Sequence, residues 1–388
     1  MKWPKQKFHL AVEDVTGGNL KVQKKDYLYH GSIPVVDQGQ SLIAGFSDDL
    51  KSKFSGNLPV VIFGDHTRIL KYVDFPFAIG ADGVKVLTTK GKLDAKFLYY
   101  FLTSFEIPNH GYSRHFKFLK NIEVPSPAPS EQRRIVEILD QADRLRKLRA
   151  ETDKRAELIL PALFNKMFGD PTMNPMGWKT GSIDDLGKIV TGNTPSRECP
   201  EYFGGSVPWA RPADLEVELP IFRTEQTISD EGARVGRVIP AGSVMVCCIG
   251  ATLGKVGLAG AEMAINQQIN AIIPKTGVTS EFVYVLCLKL ADIFRNAATQ
   301  ATLPILNKSR FSQQITIIPP SELQFEFSRQ ANVIISQHTI RKQSAKIIEA
   351  LFSNLLSQAF SGTLTASWRE ANMKELLAEM EQQSKYLN

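Results

Sequence analysis

PSEQRRIVEIL, residues 129–139, opens a long charged and apolar stretch, and a similar phrase, PSELQFEFSRQ, returns at residues 320–330. The far ends of the two stretches match as well. LPALFNKMFGD at 160–170 answers FSNLLSQAFSG at 352–362, pairing Phe168 with Phe360, and one residue of slippage covers the whole match. The repeat unit is about half the chain, far longer than the roughly 20–50 residues of a solenoid repeat. It points to a duplicated domain followed by a duplicated helix.

From Ser321 onward, Phe327, Ala331, Ile334, His338, Arg341, Ala345, Ile348, Phe352, Leu355 and Ala359 alternate four and three apart. That spacing lays them along one stripe of a helix wound at about 3.5 residues per turn, the seam of a coiled coil. Ile135, Leu139, Ala142, Arg146, Arg149, Asp153, Ala156, Leu160, Leu163 and Met167 keep the same spacing, and both seams are apolar at the ends and polar in the middle. Two helices with matching seams suit one another as partners. Ser130 and Ser321 each stand between a proline and an acidic residue, where a serine oxygen can accept from the orphan N–H groups of a first turn. Gly169 and Gly362 supply the stops. Pro161 removes a backbone donor and should kink the first helix or begin a new one.

The segments before each helix read as short strands, turns and one short helix. VVIFG at 60–64 matches VCCIG at 246–250, and FAIGADGVKVL at 77–87 matches MAINQQINAII at 263–273. Short runs of this kind, bounded by Gly, Pro and Asp, are strands of an irregular antiparallel or mixed sheet. FLYYFLTS at 97–104 and FVYVLCLK at 282–289 read as a buried helix. IEVPSPAP from Ile122 and ITIIPP from Ile315 read as a last strand leading into a proline knot. The expected class is α+β: a globular domain (1–128), a long helix (129–169), a second globular domain (170–319), a second long helix (320–362) and a tail (363–388).

The 388 residues are 43% hydrophobic, enough for two domains with a core each. The opening MKWPKQKFHL has no apolar region to match its charges. No run approaches the roughly 18 apolar residues of a membrane helix, so a cytoplasmic chain with no membrane partner is expected. Cys199, Cys247, Cys248 and Cys287 show neither CxxC spacing nor a nearby histidine cluster, which speaks for buried thiols rather than zinc or disulfides. A formal charge of +6 and a pI near 9.0 are compatible with a polyanionic partner.

Five stretches carry a resemblance: IPVVDQGQ at 33–40, the PSEQRRIVEIL opening, TGNTPSRECPEYFGG at 191–205, VPWARPADL at 207–215 and the ending FSGTLTASWRE at 360–370. In order, spacing and duplication they resemble the specificity subunit of a type I restriction-modification system, over nearly the whole chain. The resemblance implies two target recognition domains, each reading one half of a split site on double-stranded DNA, separated by two long antiparallel coiled-coil helices. It implies two methyltransferase subunits alongside and a nuclease/translocase subunit that joins them. The chain itself is then non-catalytic and binds no cofactor; S-adenosylmethionine, ATP and Mg belong to the partners of an adenine-specific methyltransferase and endonuclease. A helix of about 39 residues is roughly 58 Å long, against a rise of about 34–36 Å per turn of B-DNA. The helices can hold two domains about one turn apart on one duplex face. Antiparallel pairing relates the domains by about a two-fold. Since DQGQS does not resemble GNTPS, the site should be asymmetric.

In the first domain the candidate DNA contacts are Gln38, Gln40 and Ser41 in VVDQGQS, His66 and Arg68 after the FGD turn, and Arg114, His115 and Lys117 in HGYSRHFKFLK. In the last stretch Lys120, Tyr112, Phe116 and Phe118 complete a basic and aromatic mixture suited to phosphates or base edges. An edge strand with Phe116 and Phe118 in the core would read the same way, as would a plain hairpin turn at DQGQS. In the second domain Thr191, Asn193, Thr194 and Ser196 form a polar loop, and Arg211 follows PWA. Gln267 and Gln268 lie beside a strand, and Lys308 with Arg310 echo the first basic cluster. Glutamine suits adenine and arginine suits guanine. GATLGKVG at 250–257 lacks GxxxxGK[ST] and reads as a turn.

Neither a glycine-rich cofactor strand nor an NPPY-type motif is present, and NPMG at 174–177 is a linker turn. Asp214, Glu216 and Glu218 in PADLEVELP read as the solvated face of a strand rather than a metal site. No catalysis is expected of the chain alone. The reading from another class is a duplicated protein-binding scaffold without DNA specificity. Ile138, Leu145 and Leu148 exceed what the seam needs, which suggests that another helix docks there. Met373, Leu376, Leu377 and Met380 share one face of a tail helix too short to be stable alone, expected to dock on a partner or on the body of the chain.

Overall fold

The computed structural model describes residues 3–108, 111, 113–216, 219–299 and 303–384. The chain forms two compact units, Met1–Leu148 with Ile347–Asn388, and Arg149–Lys346. In chain order the first carries β1 (Lys5–Lys7), α1 (Phe8–Ala11), β2 (Val12–Asp14), β3 (Lys21–Val22), β4 (Ile33–Val36), β5 (Gly45–Ser47), β6 (Val60–Gly64), β7 (Leu70–Val73), β8 (Ala78–Gly80), β9 (Val84–Thr89), α2 (Ala95–Ser104), α3 (Phe116–Leu119), β10 (Glu123–Pro125) and most of α4 (Pro129–Glu157). After a break at Leu158 come α5 (Ile159–Phe168), β11 (Thr180–Ser182), β12 (Gly187–Thr191), β13 (Phe203–Ala210), β14 (Thr227–Ile228), α6 (Asp230–Val235), β15 (Val238–Ile239), β16 (Val244–Cys247), β17 (Val256–Leu258), β18 (Met263–Ile265) and β19 (Ile269–Pro274). Then follow α7 (Ser280–Lys289), α8 (Ala291–Ala297), α9 (Lys308–Ser312), β20 (Ile315–Ile317), α10 (Ser321–Ser361), α11 (Ala366–Ala371) and α12 (Met373–Ser384). Pro161 sits in the first turn of α5, where N–H groups have no intrahelical acceptor, so a new helix begins rather than a kinked one continuing.

Three sheets recur in the two units. β1 pairs antiparallel with β10, and β11 with β20. The antiparallel order β2-β9-β6-β7 returns as β12-β19-β16-β17. The third sheet is mixed, with β4 parallel to β8 and β13 parallel to β18. It departs from the repeat at one edge, where β8 is flanked by a parallel β3 and β18 by an antiparallel β15. Strands buried on both faces, such as β6 with all five residues buried, read as unbroken apolar runs rather than alternating ones.

Both long helical stretches close each core. In the first unit Ile135 and Leu139 of α4 meet Phe352, Leu356 and Ala359 of α10 over Phe97 and Leu98 of α2. In the second, Phe327 and Ala331 of α10 meet Leu160, Phe164 and Phe168 of α5 over Phe282 of α7. Ring centroids of Phe164 and Phe168 lie 5.0 Å apart, and those of Phe168 and Phe327 5.4 Å. In each unit the start of one helix packs on the end of the other, so the helices run antiparallel. Nearer mid-helix the seam is polar. Arg146 lies 4.2 Å over the Phe352 ring and 3.3 Å from Glu349 in the first unit. In the second, Arg149 donates to Asp153 at 2.8 Å and to the Arg341 carbonyl at 2.9 Å.

Two expectations need correction. Phe116–Leu119 is a helical turn with Phe116 and Leu119 in the core, not an edge strand; His110 and Tyr112 of that stretch lie outside the described residues. Ser130 does not cap α4 with its own oxygen. Its N–H and hydroxyl both donate to Glu379 of α12, at 2.9 and 2.8 Å. The tail thus docks on the body of the first unit, with Leu376 buried.

Candidate nucleic-acid interface

In the first unit three loops meet where β4, β6 and β8 end, at residues 37–41, 65–69 and 81–83. The Gln38 side chain joins them: Nε2 donates to the Asp82 carbonyl at 3.0 Å, and Oε1 accepts the His66 N–H at 3.3 Å. Thr67 Oγ1 donates to the Gln38 carbonyl at 2.7 Å. The approach is so close that a Cβ on Gly64 would overlap Thr67 Oγ1 and crowd Gln38 Cβ. Gln38, expected as a DNA contact, therefore spends its amide holding the loops.

A fourth segment, residues 113–117, is tied to these loops through Asp65. Its carbonyl bonds His115 Nδ1 at 2.9 Å, and its buried carboxylate accepts the Phe116 N–H at 2.7 Å. His115 is wholly buried. Its ring cannot reach a base edge in this conformation and instead anchors residues 113–117 to the turn after β6. Arg68, half-buried at φ +63°, donates to the Ile107 carbonyl at 3.1 Å. His66 is half-buried beside it, and Gln40, Ser41, Arg114 and Lys117 face solvent.

In the second unit the polar loop after β12 meets the turn between β18 and β19. Thr191 donates to Asn270 at 2.7 Å, Asn266 donates to Thr194 at 3.1 Å, and Thr194 bonds Gln267. Asn193 donates to the Val235 carbonyl at 2.8 Å, and Gln268 to the Ile249 carbonyl at 3.3 Å. Gln267 and Ser196 are exposed. Lys308 and Arg310 are exposed on α9, which Asn307 caps. The Gly250 N–H donates to the Pro304 carbonyl at 2.9 Å and the Leu306 N–H to the Cys248 carbonyl at 2.8 Å, which ties the segment leading to α9 to the end of β16.

Arg211 is held within its own loop, ion-paired with Glu225 and 3.7 Å from Asp214. The Asp214 carboxylate accepts the N–H groups of Arg211 and Glu225 at 2.9 and 3.0 Å, so this acid closes a turn. Glu216 pairs with Lys255 at 2.6 Å, and Glu218 lies outside the described residues. Among the described residues no three His, Cys, Asp or Glu are grouped to hold a metal ion, and no helix is long and apolar enough to cross a membrane. The sequence reading missed Asp65, Asn266 and Asn270. Each is a polar residue directly after or within a strand end, and that position is the signal that could have marked it.

The family model of the type I restriction modification DNA specificity domain matches residues 14–158 and again 175–358. The chain belongs to that family. It is 28% identical over 322 residues to the specificity subunit of type I restriction enzyme EcoR124I/EcoR124II from Escherichia coli, covering 76% of this chain and 78% of that one. To the HindI specificity subunit of Haemophilus influenzae it is 33% identical over 193 residues, which is 47% of this chain and 42% of that. Its fold matches the crystal structure of the S subunit from M. genitalium with a TM-score of 0.63 at 14% identity, over 93% of this chain and 96% of that. As a type I specificity subunit it is a recognition chain and not an enzyme.

Proposed function

We propose that the chain reads an asymmetric, bipartite site on double-stranded DNA with one target recognition domain per half, and that it scaffolds two methyltransferase subunits to which a nuclease/translocase subunit is added. The observation that carries this reading is a repeated frame with unlike loops: equivalent strands end in DQGQS and ADG in the first unit but in RPADL and NQQ in the second. Base-edge readout resides in such side chains. Gln40, Ser41, Arg114 and Lys117 are the groups presented by the first domain, and Ser196, Gln267, Lys308 and Arg310 by the second; Gln38, His66, Arg68, His115, Thr191, Asn193, Thr194, Arg211 and Gln268 hold them in place. α4 and α10 each have residues in both units, which suits a spacer. Leu145 on α4 and Val333 on α10, 65% and 64% exposed, suit the docking of methyltransferase helices. S-adenosylmethionine, ATP and Mg then bind to the partners, in the cytoplasm where the DNA lies.

Methylome sequencing of cells that express this chain with its methyltransferase tests the reading. One asymmetric, gapped motif is expected, and its gap should change when residues 156–160 are deleted or duplicated. Methylation without such a motif would leave the scaffold alternative. In that case binding would weaken with salt equally for every duplex, since phosphate contacts alone are blind to sequence.

A further inference from the structure

Lys71 lies on β7, an edge strand of the first unit, yet its side chain is only 4% exposed. Its ammonium donates to the Asp37 carbonyl and to the Ser41 carbonyl, both at 2.6 Å, and stands 3.6 Å from Asp37 Oδ1. Those carbonyls are the two ends of the loop 37–41. One cation thus buckles the loop shut from beneath, while Gln38 ties it sideways and Gln40 and Ser41 face outward. Burial holds the lysine pKa below its ordinary value, against the pull of Asp37. A buried ammonium is an expensive way to close a turn, and a hairpin that merely reversed the chain would not need one.

The second unit fills the equivalent place with different chemistry. The ladders correct the matches of VVIFG to VCCIG and FAIGADGVKVL to MAINQQINAII by a few residues, since the Asp65 N–H donates to the Gly83 carbonyl as the Cys248 N–H does to the Gln268 carbonyl. Lys71 stands opposite Ile62, itself opposite Val86 of β9; Gly257 of β17 stands opposite Met245, itself opposite Ala271 of β19. A Cβ on Gly257 would lie 2.8 Å from Ile221 Cδ1 and 3.0 Å from Leu215 Cδ2, both buried side chains. An apolar plug at the end of RPADL occupies the space that the lysine takes in the first unit. The support beneath each loop is matched to that loop and not to the shared frame.

We propose that Lys71 is a positioning residue for sequence discrimination by the first domain, fixing where Gln40 and Ser41 project toward the DNA. The proposal rests on the reading of the loop 37–41 as part of a DNA-contacting head. It is tested in the assembled complex with the methyltransferase, on duplexes carrying the cognate site or a single-base change in either half. In Lys71→Met the preference for the cognate over a first-half change should fall about tenfold or more, with the second-half preference unchanged. An equal loss of rate on all duplexes, with both preferences kept, overturns the proposal. Should Lys71→Met fail to assemble, Lys71→Gln takes its place under the same criteria. Replacing 37–41 by glycine and serine is the control: unchanged first-half preference there shows that this loop does not read, and the underlying reading falls with the proposal. A loop replacement that relaxes the first half beside a Lys71→Met that does not overturns the role of Lys71 alone.

Discussion

Arg369 of α11 and Glu131 in the first turn of α4 form an ion pair at 2.6 Å with side chains 9% and 3% exposed. Each charge has further partners. Arg369 donates to the Gly362 carbonyl at 2.8 Å, and Glu131 accepts from Thr365 at 2.7 Å and from the Trp3 indole at 3.0 Å. Removing one partner of such a pair leaves the other charge buried, at a cost of about 3–5 kcal/mol. Arg369→Ala should therefore destabilise the first unit by that amount in denaturant titration, with amide exchange quickening in the first turn of α4. Truncation after Gly362 should be at least as harmful, because it also removes Glu379 from Ser130.

Gln132 and Gln324 predict two matched and independent losses. Gln132 accepts the Asp94 N–H at 2.7 Å and donates to the Pro127 carbonyl at 2.8 Å. Gln324 accepts the Thr279 N–H at 3.3 Å and donates to the Pro319 carbonyl at 2.9 Å. Asp94 and Thr279 are the residues that precede α2 and α7, so each glutamine joins a long helix to the short helix of its unit. Substitution by leucine strands these backbone groups and should cost about 1–3 kcal/mol in either unit. Because the two lie in separate cores, the effects should add in the double variant. Hydrogen exchange at α2 and at α7 reads them separately.

Gln38 and Gln40 should part company. Gln40→Ala should relax the first half of the methylated motif while leaving the melting temperature alone. Gln38→Ala should lower stability by about 1–3 kcal/mol, since it removes a side chain that bonds two other loops. Equal effects of the two on stability would contradict the division of labour between them.

His338 gives the second unit an acid-side dependence. Burial lowers its pKa from 6.5, Lys342 and Arg341 lower it further, and Glu157 and Asp153 oppose them. The unfolded chain therefore takes up a proton at a higher pH than the folded one. Stability is full above the unfolded value and is lost as pH falls from there through the folded value. Denaturation midpoints between about pH 7.5 and 5 should fall more steeply for the native chain than for His338→Gln, around the ordinary histidine pKa.

Thiol reactivity should single out one cysteine. Burial pushes the Cys248 pKa up to about 12 and raises that of Cys287 as well, and Cys247 is wholly buried. Cys199 is the partly exposed one. Iodoacetamide should label Cys199 alone in the native chain and all four after denaturation, counted by mass.

The long helices and the duplication were legible because burial repeats every three to four residues over many turns. The expected seams are off by one position near the ends, where Phe164, Phe168, Ile335 and Leu356 are buried and Leu163, Met167, Ile334 and Leu355 only partly so. The one-residue slippage has a physical explanation. The two PSE phrases are out of step, whereas Gln132 and Gln324 fall into register with Ile135 and Phe327, and with Phe168 and Phe360 at the far ends. The buried amides, with Pro127 and Pro319 whose carbonyls they hold, mark equivalent positions; the prolines of the two PSE phrases do not. The reading residues were less legible. Gln38 and Gln40 look alike in sequence, and only the distance to Asp82 shows that one amide is already engaged. Lys71 in LKYV looks like the solvent side of an alternating strand, because nothing local reveals that a loop thirty residues upstream covers it. FKFL at 116–119 is too short for its period to separate a helical turn from a strand.

Finally, the first unit is discontinuous: it needs Phe352, Leu356 and Arg369 from beyond the whole of the second. A ribosome that adds about 5–20 residues per second takes roughly 10–40 s to make the intervening 200 or so. During that time α2 lacks Phe352 and Leu356, and the carboxylate of Glu131 has the Trp3 indole but not Thr365 or Arg369, while the contiguous second unit can fold as it emerges. Nascent chains of this protein are thus most exposed to aggregation and proteolysis in the first unit, until α10 and α11 emerge to complete it.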